Sequence, residues 1–254
     1  MKNDMLEINK KCWDNIAQQF FGITALPEYG PFIKSETELN LFGDVSDKKV
    51  LEIGCGSGHS LEYMAKRGAQ ELWGMDISST QIETAKDYLS KKDYNANLYC
   101  SPMELEADIP KNYFDIIYSI YALGWTTDLK QTFKNIFSYL KEDGILIFSW
   151  DHPIYQCLGN NDTNIVVERS YFDDGIQPNK TFKGQPVTLN RIRLSTFINE
   201  LISSGLNIEK LIEGDIAEKY TNIEAEPSEQ YYSLYRAKYI PNSFIIKSKK
   251  IKTK

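Results

Sequence analysis

From Lys49 to Trp150 the chain alternates short runs of β-branched and aromatic residues with stretches whose apolar positions recur every three or four residues. That alternation predicts repeated βαβ units, and so a parallel sheet with helices on both faces. Residues 50–53 predict the first strand and a glycine loop follows. Leu61, Met64 and Ala65 then share one face of a helix that Gly68 ends. Residues 72–76 predict the second strand, and Ser78 to Gln81 reads as a capping box ahead of a helix carrying Ile82, Ala85 and Leu89 and ending near Lys91. Residues 98–100 and 114–119 predict the third and fourth strands, the latter apolar enough to be buried on both sides. Asp128 opens a further helix with a stripe of Leu129, Phe133, Ile136, Phe137 and Leu140. Asp143-Gly144 is expected to stop it before a fifth strand at 145–150.

The alternation lapses after Trp150, and residues 151–187 are rich in Asn, Asp, Gly and Pro, as expected of an insertion or lid. It resumes with a helix carrying Leu194, Phe197, Ile198, Leu201 and Ile202, ended by Gly205, then strands at 208–212 and 244–246. The organisation expected is one domain over 1–254: an N-terminal helical lid (1–45), a binding core (46–150), the insertion, and the rest of the sheet (188–254). Trp13, Ile16, Ala17 and Phe20 fall on one helical face. Two readings stand for this face, a lid over a ligand and simple packing on the sheet edge. The cluster of Tyr231, Tyr232 and Tyr235 is likewise open between pocket lining and core.

Among 254 residues, 29 Lys and Arg face 35 Asp and Glu, a net charge of −6 that argues against a nucleic-acid partner. No apolar run approaches the roughly 20 residues that span a bilayer, and the start lacks a secretory signal pattern. Cys12, Cys55, Cys100 and Cys157 form no C-x-x-C pair, so free thiols in a reducing, cytoplasmic compartment are expected, and no metal cluster is visible.

The most informative segment is Leu51-Glu52-Ile53-Gly54-Cys55-Gly56-Ser57-Gly58-His59, a strand entering three glycines and a helix. Glycine admits positive φ and lets a ligand approach the backbone, so this loop is built for a cofactor. A dinucleotide fingerprint requires G-x-G-x-x-G, whereas here the sixth position is His59. The early third glycine and the acid Glu52 suit a cofactor with no pyrophosphate to seat on the helix N-terminus. Asp76, about 20 residues on at the end of the second strand, is placed to accept hydrogen bonds from ribose hydroxyls.

With the glycine loop and Asp76, the segment ending at Glu104, Tyr113-Phe114-Asp115 and Lys141-Glu142-Asp143-Gly144 complete a set in an order that resembles the class I SAM-dependent methyltransferases, in the branch of the ubiquinone- and menaquinone-biosynthesis enzymes. The resemblance covers nearly the whole chain. It implies a Rossmann-like, doubly wound α/β sheet of about seven strands, the last antiparallel. It also implies S-adenosylmethionine as cofactor, S-adenosylhomocysteine as product, and a small-molecule acceptor. Gly54, Cys55, Gly56 and Gly58 would lie against the methionine portion, with Glu52 orienting its ammonium group and His59 lining the cofactor. Asp76 would hold the ribose, Ile77 would lie against the adenine, Met103 would offer its backbone N–H to the ring, and Gln81 and Pro102 would add cofactor contacts, with Glu104 matching the family's acid. Ser101-Pro102-Met103-Glu104 departs from the Gly-Asp-Ala-Glu-like run common in relatives. Ser119 would approach the methionine end, with Tyr121 and Trp125 walling the acceptor pocket. No Asn-Pro-Pro-Tyr-like motif is present, which weakens a nucleic-acid amino-methyltransferase reading.

Methyl transfer from a sulfonium is an in-line displacement governed by alignment and exclusion of water. An acceptor that must lose a proton also needs a base. His152, in Trp150-Asp151-His152-Pro153 past the fifth strand, is the candidate general base, against the reading of a histidine bonded into a turn; Tyr121 is the second catalytic candidate. Two rival functions stand: a SAM-binding module without chemistry, and a nicotinamide-dependent oxidoreductase.

Overall fold

The computed structural model describes residues 2–251. Its elements run α1 (Lys2–Ile16), α2 (Glu36–Leu39), β1 (Lys49–Ile53), α3 (His59–Lys66), β2 (Glu71–Asp76), α4 (Ser79–Ser90), β3 (Ala96–Cys100), β4 (Phe114–Ile120), α5 (Leu129–Tyr139) and β5 (Leu140–Asp151). They continue with β6 (Gly175–Phe182), β7 (Gln185–Arg191), α6 (Leu194–Ser203), β8 (Leu206–Glu213), α7 (Glu218–Thr221), α8 (Leu234–Ala237) and β9 (Ser243–Lys250).

One seven-stranded sheet has the order β3-β2-β1-β4-β5-β9-β8, parallel except for β9, which pairs antiparallel with both β5 and β8. Alternation along each strand splits the core into two layers. Leu51, Ile117, Leu146, Phe148 and Phe244 pack with Phe133 and Ile136 of α5 and Phe197 and Leu201 of α6. Val50, Ile116, Tyr118, Ile147 and Ile245 pack on the opposite face with Leu61 and Met64 of α3 and Leu89 of α4. Both layers are needed because a parallel strand buried on two sides has no face left for water.

Local signals set several ends. The Ser78 hydroxyl accepts the Gln81 N–H at 3.1 Å and caps α4, and Asp128 accepts the Gln131 N–H at 2.9 Å and caps α5. Asp143-Gly144 does not stop α5, which ends at Tyr139. Residues 140–144 already run extended as an irregular lead-in, Leu140 opposite Phe114 and the regular register resuming at Ile145 opposite Ile116. Asp143 takes φ +63° and a Cβ on Gly144 would lie 2.9 Å from the Phe114 carbonyl, so this pair re-registers β5.

The insertion contains the hairpin β6–β7, which extends to Arg191, past the expected boundary at 187. Asn9 of α1 pairs with the Thr188 backbone in both directions, at 3.0 and 2.8 Å, and Trp13 lies 5.1 Å from Trp125 and 5.9 Å from Phe182. Of the two readings of the N-terminal helix, this places α1 against the hairpin and α4, over the carboxyl ends of the strands. A buried ion pair, Arg236 to Asp162 at 2.7 Å, ties the start of the insertion to α8, with Arg236 also donating to the Gly159 carbonyl.

Candidate active site

A cavity of about 960 Å³ opens at the carboxyl ends of β1, β2, β4 and β5, roofed by α1 and the β6–β7 hairpin. This is where an open α/β sheet places its ligand, because strand order reverses there and the loops diverge. Its lining is largely apolar, with a few converging carboxylates, amides and hydroxyls.

One end is built by the glycine loop. Gly54 sits at φ +73°, and a Cβ on it would come within 2.2 Å of the Ala122 Cβ. Gly56, at φ +49°, has no protein atom within 4 Å of the Cβ position, so its bare backbone is open to a ligand. Its N–H donates to Asp76 Oδ2 at 2.9 Å while Ser78 N–H donates to Oδ1 at 2.9 Å, which orients the carboxylate at the cavity edge. Desolvation nevertheless pushes Asp76 up to about 6. Glu52, 2 % exposed, lies beneath the same loop with the Tyr118 hydroxyl 3.4 Å from Oε2, and burial, then the charge of Asp76, drives its pKa well above the usual carboxylate range. Neither acid is ion-paired among the described residues. Gln81 adds an acceptor: its Nε2 reaches the Ala17 carbonyl at 3.5 Å, and its buried Oε1 has no partner among the described residues.

Cys55, His59, Ile77, Pro102, Met103 and Glu104 also line the cavity, together with Glu52, Gly54, Gly56, Asp76, Gln81 and Tyr121. His59 stacks on Tyr88 at 3.9 Å and its Nδ1 lies 3.0 Å from Ser57 Oγ; burial lowers its pKa. Glu104 is committed to the loop before α5, accepting the Thr127 N–H at 2.7 Å and hydroxyl at 2.8 Å.

Three expected site residues lie elsewhere. Gly58 is packed beneath α4, where a Cβ would approach Ala85 and Leu89 at 3.2 and 3.3 Å, so it serves helix packing. Ser119 is fully buried and donates to the Ile53 carbonyl at 2.8 Å, tying β4 to β1. His152 does not line the cavity. Its N–H pairs with the Asn242 carbonyl and its ring faces Phe244 and Glu213, with Nε2 3.0 Å from Glu213 Oε1 and Nδ1 accepting the Ile154 N–H at 3.3 Å. Both ring nitrogens are engaged and burial lowers its pKa, the arrangement of a histidine bonded into a turn.

The acid beside it reaches the cavity instead. Asp151, 8 % exposed, accepts the Tyr232 hydroxyl at 2.7 Å and the Tyr231 hydroxyl at 3.1 Å. Burial raises it to about 6 against the lowering effect of Tyr232, Tyr231, Tyr121 and Gln156. Tyr121, at φ +53° with its hydroxyl on Ser243, stands between this group and Trp150, and burial pushes its own pKa far up. Sequence reasoning missed Asp151 because its tyrosine partners lie 80 and 81 residues away. Trp150-Asp151-His152-Pro153 and Tyr231-Tyr232 are separate features along the sequence.

The sheet order, with an antiparallel strand between β5 and β8, and a glycine-loop cavity flanked by Glu52 and Asp76 define a methyltransferase-type α/β protein. Residues 30–155 match the family model described as a methyltransferase domain. A Haemophilus influenzae protein of uncharacterised function is 28 % identical over 218 residues, 81 % of this chain and 86 % of that one. The ubiquinone biosynthesis O-methyltransferase of Coxiella burnetii is 34 % identical over 102 residues, 40 % of this chain, and the match spans less than half of that enzyme, 43 %. The fold is shared with an S-adenosylmethionine-dependent methyltransferase of Mesorhizobium loti, at a TM-score of 0.71 and 22 % identity over 83 % of this chain and 94 % of that one.

Proposed function

We propose that this enzyme transfers the methyl group of S-adenosylmethionine to a small organic acceptor held at the Asp151 end of the cavity. The observation that carries this reading is that Glu52 and Asp76, neither of them ion-paired among the described residues, lie beside a glycine loop in which the Cβ position of Gly56 is open. A ligand bringing an ammonium group, a sulfonium and ribose hydroxyls fits them. The cation offsets two carboxylates that burial destabilises, and the hydroxyls use lone pairs that the Gly56 and Ser78 amides leave on Asp76. Gln81 Oε1 supplies an acceptor for an amine such as that of adenine. When bound, the cofactor supplies an electrophilic methyl group. The chain's own part is to fix its direction through Glu52 and Asp76 and to exclude water with α1 and the hairpin. A nicotinamide-dependent reading gains no support, since β9 breaks the all-parallel order of dinucleotide folds and the sixth-position glycine is absent.

Calorimetric titration with S-adenosylmethionine, S-adenosylhomocysteine and NADH tests this. Micromolar binding of the first two, lost at least about tenfold in Asp76→Ala, is the expected result. Preference for NADH would overturn it.

A further inference from the structure

We infer that the acceptor end of the cavity is a site for a protonated amine, gripped by Asp151 within an aromatic box. This rests on the methyl-transfer reading for the amine's role as acceptor, but the site itself stands on separate residues.

Hydrogen-bond inventory is the first argument. A tyrosine hydroxyl has one proton to give. Tyr231 and Tyr232 each spend theirs on Asp151, so toward the cavity both present lone pairs. The wall formed by these two hydroxyls and the carboxylate therefore offers acceptors and calls for a ligand rich in donors. An ammonium brings up to three and no acceptor; a hydroxyl brings one, with lone pairs that this wall cannot satisfy.

Charge is the second. Asp151 is buried, lies on the cavity and has no ion-pair partner among the described residues. None of the cations that line the same cavity forms an ion pair with Asp151 among the described residues. Arg191 is held by Asp173 at 2.7 Å, Arg169 is exposed and donates to the Gln156 carbonyl, and Lys183 is exposed on the hairpin. A ligand cation would supply the missing counter-charge.

The surrounding rings are the third. Tyr121 lies 5.8 Å from Trp150 and 6.2 Å from Tyr232, Trp150 is 6.0 Å from Trp125, and Tyr231 meets Tyr232 at 4.8 Å and 78°. Indole and phenol faces attract cations electrostatically, and do so most strongly out of water. An ammonium must shed one proton before its nitrogen can take a methyl group, and Asp151 stands where that proton can go.

The test is titration with benzylamine, benzyl alcohol and benzoate, with and without saturating S-adenosylhomocysteine. Benzylamine is expected to bind at least about tenfold more tightly than the alcohol and benzoate not at all. Asp151→Asn should abolish the preference while leaving S-adenosylhomocysteine binding unchanged, which also reports that the variant is folded. Should that variant not fold, the wild-type pH profile decides, since benzylamine affinity should fall as pH drops through about 6 while that of the alcohol stays level. Benzoate binding as tightly as benzylamine, no benzylamine binding, or a preference that survives Asp151→Asn or is flat with pH would overturn the inference. Failure of S-adenosylhomocysteine to bind would overturn the cofactor reading, with the amine titration of the free protein still deciding the site.

Discussion

The Asp14 carboxylate of α1 accepts the Ser78 hydroxyl at 2.7 Å, while that same hydroxyl accepts the Gln81 N–H and caps α4. Asp14 also accepts the Thr80 N–H at 3.1 Å and pairs with Lys10 at 2.6 Å. A helix covering the cavity is thereby fastened to the first turn behind Asp76, where a negative charge is favoured by the helix N-terminus.

Asp14→Ala is therefore expected to destabilise the protein by about 1 kcal/mol, as for loss of a cap, and to raise amide exchange along α1 more than in the sheet. Burial opposes ionisation of Asp14, but hydrogen bonds from Lys10, Ser78 and Thr80 outweigh it and hold the group at about 2. The folded value lies below the ordinary one, so this contribution is present above about pH 4 and is lost as pH falls toward 2. Thermal unfolding of both proteins across that window checks the sign.

Gly54 and Gly56 separate folding from binding. Gly54→Ala forces a Cβ to 2.2 Å from Ala122 at positive φ and should cost about 2–4 kcal/mol of stability. Gly56→Ala meets no protein atom and should cost about 1 kcal/mol, yet fills space on the cavity side and should abolish measurable S-adenosylhomocysteine binding. Denaturant unfolding and calorimetry on the two variants give the comparison.

Asp151 titrates from the 3.8 of a free aspartate to about 6 in the folded protein. A raised folded value means that its stabilising effect is complete below about pH 4 and is lost as pH rises through 6, a change of up to about 3 kcal/mol. Wild type should accordingly gain stability relative to Asp151→Asn as pH is lowered from 8 to 5. Denaturant midpoints of the two proteins at both pH values measure it; a constant difference between them would refute the assignment.

His152→Gln should leave the pH profile of methyl transfer unchanged and activity within about threefold, because the ring faces Glu213 and Phe244. Stability should drop by about 1–2 kcal/mol through loss of the Ile154 and Glu213 contacts. Rates measured from pH 6 to 9 decide this.

Much of the scaffold was legible in the chain because its signals are local. Strand alternation, the caps at Ser78 and Asp128 and the left-handed glycines 54 and 56 each act within a few residues of their own position. Even so, local patterning misplaced the end of α5, since pairing of Leu140 with Phe114 drew residues 140–144 into the sheet. Glu52, Asp76 and Gln81 were readable as one site because β1, β2 and the turn into α4 are adjacent in both sequence and space.

Sequence by itself determined the doubly wound sheet and the glycine-loop end of the cavity. Tertiary structure alone decided the Asp151 end. Asp151 meets Tyr231 and Tyr232 because β8 ends and the antiparallel β9 begins beside the carboxyl end of β5, with Asp151 opposite Ser243, so the connection between them that carries both tyrosines lies at the strand ends. The same arrangement turns His152 toward Phe244 and Glu213, away from the cavity. Contacts across about 60 to 90 residues depend on how the chain closes on itself, and no periodicity within a single segment encodes that.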